Sequence, residues 1–340
     1  MILEYSEPNF KSAVRLIDFT VAIRAYNSGS LLSTILDRLR FQIEVETIHW
    51  EVIVIDNNST DNTAEIVKAY QIAWPETFPL RYYFEPRQGA GFARHRAIKE
   101  ARGNLIGFLD DDNLPTDNWV AAACAFGKTH SRAGAYGSQI HGEFEVEPPK
   151  DFHRIQSFLA IKDRGSEPNL YDPAILSLPP GAGLVVRRQV WFDHVPPTQV
   201  LQGPVKESLT KKGEDFEALM HIGNAGWEIW YNPEMQISHQ IPSWRLEKNY
   251  LVTLTRCAGL NTCYLRTLNV SSWQIPMIAL RLMVGSFCRL IIHFFKHGSK
   301  IRTDIVAACE MEFFLSCFIS PLYLFMKNIK LKDIIVIFSG

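Results

Sequence analysis

From residue 19 onward, short apolar runs alternate with stretches of helical period, the pattern of a sheet whose strands are joined by crossover helices. FTVAIRA at residues 19–25 predicts a buried strand, Tyr26-Asn27-Ser28-Gly29-Ser30 a turn and helix cap, and residues 31–39 a helix. The unit repeats as a strand at 51–55 (EVIVI), an exit loop at 56–61 and a helix at 63–70, then as a strand at 80–84, a glycine-containing loop and a helix at 92–101. A fourth strand, NLIGFL at 104–109, ends in Asp110-Asp111-Asp112-Asn113, and Pro115 stops its continuation. Later, Glu214-Asp215 opens a helix at 216–222, and a strand-like run follows Pro233. Two long apolar runs, 276–295 and 305–325, end the pattern. These features predict an α/β fold, a mixed and mainly parallel sheet flanked by helices, with an apolar helical appendage.

Composition adds boundaries. A chain of 340 residues, 47% apolar and 21% charged, has room for one large domain, 1–268, and a membrane-associating helical tail, 269–340. The six cysteines form no CxxC pair and no zinc-ligand spacing, so a reducing compartment is expected. The opening residues lack a basic start followed by an apolar stretch, so no secretory leader is expected. Residues 271–340 carry eight Lys/Arg against four Asp/Glu, or +4, which leaves −5 for the rest of a chain whose net charge is −1. Because those basic residues are interleaved with Ile, Leu and Phe, they suit an anionic membrane surface; no nucleic-acid motif is present.

The acidic end of the fourth strand carries the chemistry. In open α/β sheets, ligands bind beyond the carboxyl ends of the strands. A buried apolar strand here delivers three adjacent carboxylates to that edge, where they suit a divalent cation, and a cation suits a diphosphate. A solvated acidic turn is the plainer alternative.

Seven motifs in order, spanning about residues 19 to 260, resemble family 2 glycosyltransferases of the GT-A fold. They are FTVAIRAYN, VIVIDNNSTDNT, GAGFARHRAI, IGFLDDDNLP, LPPGAGLVVRRQVW, GEDFEAL and YNPEMQISHQIP. The resemblance implies inverting transfer of a sugar from a nucleotide-diphospho-sugar, UDP-sugar foremost, to a hydroxyl acceptor, with Mn²⁺ or Mg²⁺ as cofactor. It implies that Ala25, Tyr26, Asp56, Arg94, Asp110 and Asp111 face the donor, with Asp110 near the ribose. Asp112 and His239 would hold the metal, and Asp215 of the Glu214-Asp215 pair would deprotonate the acceptor. Asx-turn roles remain the simpler reading of Asn57, Asn58 and Ser59, and helix capping is the plainer role for Glu214 and Asp215. A single displacement needs one base and no enzyme nucleophile.

Arg24 stands where the family commonly has proline, and His95 where asparagine often follows the arginine. The Gln-x-x-Arg-Trp signature of processive synthases is absent, and Arg256 in TRCAG is the nearest basic residue, which favours transfer of one sugar per encounter in polysaccharide or glycolipid synthesis. Two other functions fit fragments of the pattern. An NAD(P)-dependent oxidoreductase would explain GAGFAR but replaces the third fingerprint glycine with Arg94, and a non-catalytic scaffold would leave the carboxylates unused. In the tail, Gln274, Arg281, Ser286, Arg289, His293 and Lys296 share an arc of about 140° at helical period, which predicts an in-plane helix on the cytoplasmic membrane face, near a saccharide or lipid-linked acceptor. The run at 305–325, interrupted by Glu310, Glu312 and Pro321, could pair with it, span poorly or form a dimer interface.

Overall fold

A computed structural model describes residues 17–203 and 212–338, with the side chains of the last helix described to Met326. The residues before 17, on which the expectation of no leader mostly rests, lie outside it. Strands β1 (Phe19–Ala25), β2 (Trp50–Asp56), β3 (Leu80–Phe84) and β4 (Leu105–Asp110) lie parallel in the order β3-β2-β1-β4. Helices α1 (Leu32–Arg40), α2 (Thr63–Ile72) and α3 (Ala90–Glu100) join them. All seven residues of β2 are buried, because helices cover both faces of the sheet. Alternate residues of β1 feed opposite cores: Val21 and Ile23 pack with α1, Ala22 with the buried alanines of α3.

After β4 the sheet becomes mixed. Strand β5 (Asn113–Pro115), helix α4 (Trp119–Thr129), strands β6 (Ala133–Phe144), β7 (Asn169–Leu170) and β8 (Val185–Arg187), helices α5 (Arg188–His194) and α6 (Glu214–Asn224), and strand β9 (Glu228–Ile241) complete the body. Antiparallel β8 links β4 to β6, β9 runs parallel to β6, and β5 and β7 pair antiparallel with β9. The β6/β9 register shifts at two places: between Ala133 and Ala135 on β6, and after Ser138, which faces Asn232 while the next pair is Gln139 with Gln236, so residues 233–235 bulge out of the ladder. Pro233, which has no N–H to donate, lies in that bulge. Downstream of it, Asn113 of β5 faces His239.

Helix α7 (Lys248–Thr267) is followed by α8 (Ile275–His297) and α9 (Ile305–Phe338). Contacts between α7 and α9 ascend together: Arg256 Nε reaches Glu312 Oε1 at 2.6 Å, and Thr262 Oγ1 lies 3.5 Å from Cys317 Sγ. The two helices therefore run parallel, with α8 returning between their ends. They approach closely at Gly259, where a Cβ would sit 2.5 Å from that of Ser316.

Helix α8 inverts the pattern of a water-soluble helix. Its buried residues are Ser286 and His293, while Met277, Leu280, Val284, Phe287, Ile291 and Phe294 are exposed. The polar arc expected from the sequence divides: His293 turns inward and hydrogen-bonds the Ala307 carbonyl at 2.9 Å, while Arg281, Arg289 and Lys296 stay in solvent. A neutral polar group can be satisfied by a neighbouring backbone, whereas an unpaired charge keeps its water. At 100° per residue the exposed basic stripe lies roughly a third of a turn from the centre of the open apolar face. Two helical stretches, of 31 and 22 residues, are long and apolar enough to cross a membrane.

Candidate functional site

The carboxyl ends of β1, β2 and β4 and the start of α6 meet at one edge. Register pairing places Ala25 beside Asp56 and Arg24 beside Asp110. Asn57 ties two loops together: its amide donates to Arg87 O at 2.7 Å and its Oδ1 accepts from Gly89 N at 2.7 Å. Asp56 is buried, and its oxygens already accept from Ser59 N at 2.9 Å and from the Tyr82 hydroxyl at 2.7 Å. Tyr26, at the mouth of the same turn, is 40% exposed and can meet a ligand face.

A connected cluster of charges extends from β1 to α6. One guanidinium nitrogen of Arg24 pairs with Asp110, and the other lies 3.4 Å from Glu214 Oε1. That same carboxylate oxygen is 3.3 Å from Arg94 Nη1. Arg94 is fully buried, with its guanidinium 5.2 Å over the Phe108 ring and with Nε and Nη2 lacking partners. The resemblance places Arg94 towards a donor; here α3 begins at Ala90, so Arg94 sits a full turn in and points at Glu214. A Cβ at position 181 would lie 2.5 Å from Arg94 Nη2, so any larger residue there would have to displace that guanidinium.

Glu214 and Asp215 are adjacent but electrostatically opposite. Burial works against ionisation of Glu214, yet Arg94 and then Arg24 outweigh it and hold its pKa below the ordinary value. Asp215 is pushed up, by burial first and by the Glu214 charge second. Its Oδ2 accepts from Gly181 N at 2.7 Å and its Oδ1 from Phe216 N at 2.9 Å. A positioned carboxylate of raised basicity is the form a general base takes. Burial lowers the Arg24 pKa, but Asp110, then Glu214 and Asp215, raise it further.

The three consecutive aspartates diverge. The tight turn is held by Asn113, whose Oδ1 accepts from Asp110 N at 3.2 Å and whose amide donates to Asp112 Oδ1 at 2.9 Å. Asp110 turns to Arg24; Asp111 accepts from the Ser28 hydroxyl. Burial, with the neighbouring Asp112 charge, pushes the Asp111 carboxyl up to about 7. Asp112 Oδ2 lies 3.4 Å from His239 Nε2, bringing together residues 127 positions apart through the pairing of β5 and β9. Burial alone would raise the Asp112 pKa, but His239 and then Arg245 hold it below the ordinary carboxylate range.

His239 Nδ1 donates to the Leu159 carbonyl at 2.9 Å, which leaves Nε2 directed at Asp112. Two ligands of one ion, each bound at about 2.0–2.2 Å, have a spacing of this order, and a ligating histidine commonly commits its other nitrogen to a carbonyl. Asp112 and His239 therefore fit a divalent cation. Arg245, absent from the sequence-based site, fills the gap between them: its Nη1 is 2.8 Å from Asp112 Oδ2 and 3.0 Å from His239 Nε2. Its place six residues beyond His239, in the turn Ser243–Leu246 that follows β9, was the available signal. Glu217 was also missed: it receives Val200 N at 2.9 Å, Leu201 N at 2.7 Å and the Tyr264 hydroxyl at 2.9 Å, anchoring the loop before α6.

The model of the family described as "Glycosyl transferase family 2" matches residues 20–190. The uncharacterized glycosyltransferase YfnE of Bacillus subtilis is 34% identical over 155 residues, 43% of this chain and 38% of that protein. The succinoglycan biosynthesis protein ExoM of Rhizobium meliloti is 23% identical over 237 residues, 68% of this chain and 69% of its own. Among solved structures, the mannosyltransferase PcManGT of Pyrobaculum calidifontis, in complex with GDP-Man and Mn²⁺, superposes with a TM-score of 0.54 at 18% identity, covering 89% of this chain and 86% of that one.

Burial of Arg94 yields a test of its placement. Breaking a buried ion pair by removing one partner costs about 3–5 kcal/mol, so Arg94→Met should lose that much in chemical denaturation, while the exposed Arg281→Ala changes stability by less than about 0.5 kcal/mol. A loss below about 1 kcal/mol for Arg94→Met would contradict its role as a buried counterion.

Proposed function

As the chain belongs to glycosyl transferase family 2, we propose that it is an inverting hexosyltransferase that moves a sugar from a nucleotide-diphospho-sugar to a hydroxyl of a saccharide or lipid-linked acceptor in polysaccharide or glycolipid synthesis. The observation that carries this reading is the single sheet edge at which a raised-pKa aspartate, Asp215, and a metal-fit pair, Asp112 and His239, flank Asp110. PcManGT, solved in complex with GDP-Man and Mn²⁺, is a precedent for that donor class on this fold. Residues 1–268 form the catalytic domain in this reading and 269–340 the membrane-associating tail.

Residue roles follow from the contacts. Ala25, Tyr26 and Asp56 line the nucleotide side, with Asp56 holding the loop through Ser59 and Tyr82. Asp110, about a third exposed and oriented by Arg24, accepts from the ribose. Asp111 braces the β1 turn through Ser28. Asp112 and His239 would hold the cation, and Arg245, beside them, would offer its guanidinium to a donor phosphate. A bound Mn²⁺ or Mg²⁺ supplies electrostatic stabilisation of the departing diphosphate. Glu214 keeps Arg24 and Arg94 in place; Asp215 takes the acceptor proton as that oxygen attacks the anomeric carbon.

The tail is proposed to rest on an anionic membrane at its cytoplasmic face, peripheral or partly inserted. The open apolar face of α8 lies opposite its buried side, so it can enter the acyl boundary while Arg281, Arg289 and Lys296 reach headgroups.

Asp215→Asn tests the chemistry. Donor binding, followed by thermal shift against UDP- and GDP-sugars with Mn²⁺, should stay within about threefold, while transfer falls by about 10³-fold. The raised pKa fixes the sign for stability. Asp215 favours the folded state fully below its unfolded pKa, and that contribution is lost as pH rises through the folded value. The variant should therefore be at least as stable as the parent at neutral pH. Transfer retained within tenfold would remove Asp215 from the base position, and activity of the parent undiminished in EDTA would remove the cation. For the tail, the full chain should float with anionic liposomes, less so in high salt and less so as Arg281→Glu/Arg289→Glu; a parent that stays monodisperse without detergent and ignores vesicles defeats the membrane assignment.

A further inference from the structure

A second set of metal-type ligands lies where α8 meets α9, away from the sheet edge. His293 and His297, one helical turn apart on α8, converge with Glu310 of α9, and one ligand atom from each lies within 4.8 Å of the others. His293 Nε2 faces the Ala307 carbonyl at 2.9 Å and must be the donor there, since a carbonyl oxygen only accepts. That contact leaves Nδ1 for Glu310, whose Oε2 stands 3.7 Å away. The distance is too long for a hydrogen bond and close to the separation of two ligands around one tetrahedral ion. His297 Nε2 is buried with no hydrogen-bond partner.

We propose that His293, His297 and Glu310 bind a divalent transition-metal ion, with Zn²⁺ the ion these ligands suit best. Two imidazoles and one carboxylate match that borderline-soft ion and suit Mg²⁺ or Ca²⁺ poorly. Histidines at i and i+4 share one helix face, so a single ion reaches both without distorting the helix. Three protein ligands leave the fourth position to water. The outer shell is partly built: Ala307 fixes one ring, and Arg154 grips both oxygens of Glu310, with Nε 3.0 Å from Oε1 and Nη2 against Oε2, so that the ligand oxygen is shared with a guanidinium. Arg154 belongs to the turn Phe152–Arg154 of the catalytic body. An ion at this site therefore fastens α8 to α9 and, through Glu310, both helices to the body. The Arg154 charge opposes a dication even as it orients the carboxylate, so the selection among dications comes from the two imidazoles.

The site is independent of the glycosyltransferase reading and can be tested apart from it. Asp112 and His239 offer a competing cation site, so the test uses the full chain carrying Asp112→Asn and His239→Ala. After chelator stripping, Co²⁺ titration should show one equivalent with the visible absorption of a tetrahedral site, displaced by Zn²⁺, and Zn²⁺ should raise the melting temperature. Adding His297→Gln, which removes a nitrogen that bonds nothing in the structure, should weaken Co²⁺ binding at least about 100-fold with an unchanged circular dichroism spectrum. His293→Ala should do the same, though its fold must be checked because Ala307 loses a partner. No bound equivalent in the Asp112/His239 background, or undiminished binding in the folded His297→Gln variant, overturns the proposal.

Discussion

The site edge depends on one buried carboxylate, Glu214, held between Arg24 and Arg94. At about 3.4 Å and an effective dielectric near 20, each attraction is on the order of 5 kcal/mol, against a desolvation cost of several kcal/mol for each ion. The near cancellation means the cluster contributes little net stability but strongly penalises any arrangement that separates its members. It ties β1, α3 and the first turn of α6 to one geometry, and through Arg24 it reaches Asp110 at the end of β4. The opposite shifts of Glu214 and Asp215 follow from this: the guanidiniums claim the first carboxylate, and the negative charge they fix raises the second.

The parallel half of the sheet was legible because its signals are local. Apolar runs such as 51–55 and the turn chemistry after them recur with the spacing of strand and crossover helix, and β2 and α2 appear where that pattern puts them. The same holds for Glu214 and Asp215 at a helix start. The pairing of Arg94 with Glu214 was not legible because it is set by α6, 120 residues away, which no local pattern encodes. Arg245 carried no motif of its own, and Arg256, named beside the absent processive signature, pairs with Glu312 on α9. The antiparallel strands β5, β7 and β8, two or three residues long, carry too few positions for a period to emerge.

The appendage shows the same division between composition and packing. Its apolar length was readable, but the sorting of its polar residues was not. Ser286 and His293 go inward, His293 onto the Ala307 carbonyl of α9, and the large side chains are left outside. That sorting is expected where the surroundings are lipid, since tight helix contacts then favour small and hydrogen-bonding groups over bulky apolar ones. Glu310, which interrupts the apolar run, is matched by Arg154 from the body.

The bulge at residues 233–235 separates β9 into two ladders of different duty. Upstream, Ile229 and Tyr231 are fixed in the core; downstream, His239 must face Asp112. Side chains alternate across a strand, so losing or gaining one residue between them would turn His239 to the opposite face of the sheet. A change of two residues would restore its facing. Among divergent relatives, length variation in this strand is therefore expected to be concentrated at the bulge and to come in even steps, a parity rule imposed by the pleat.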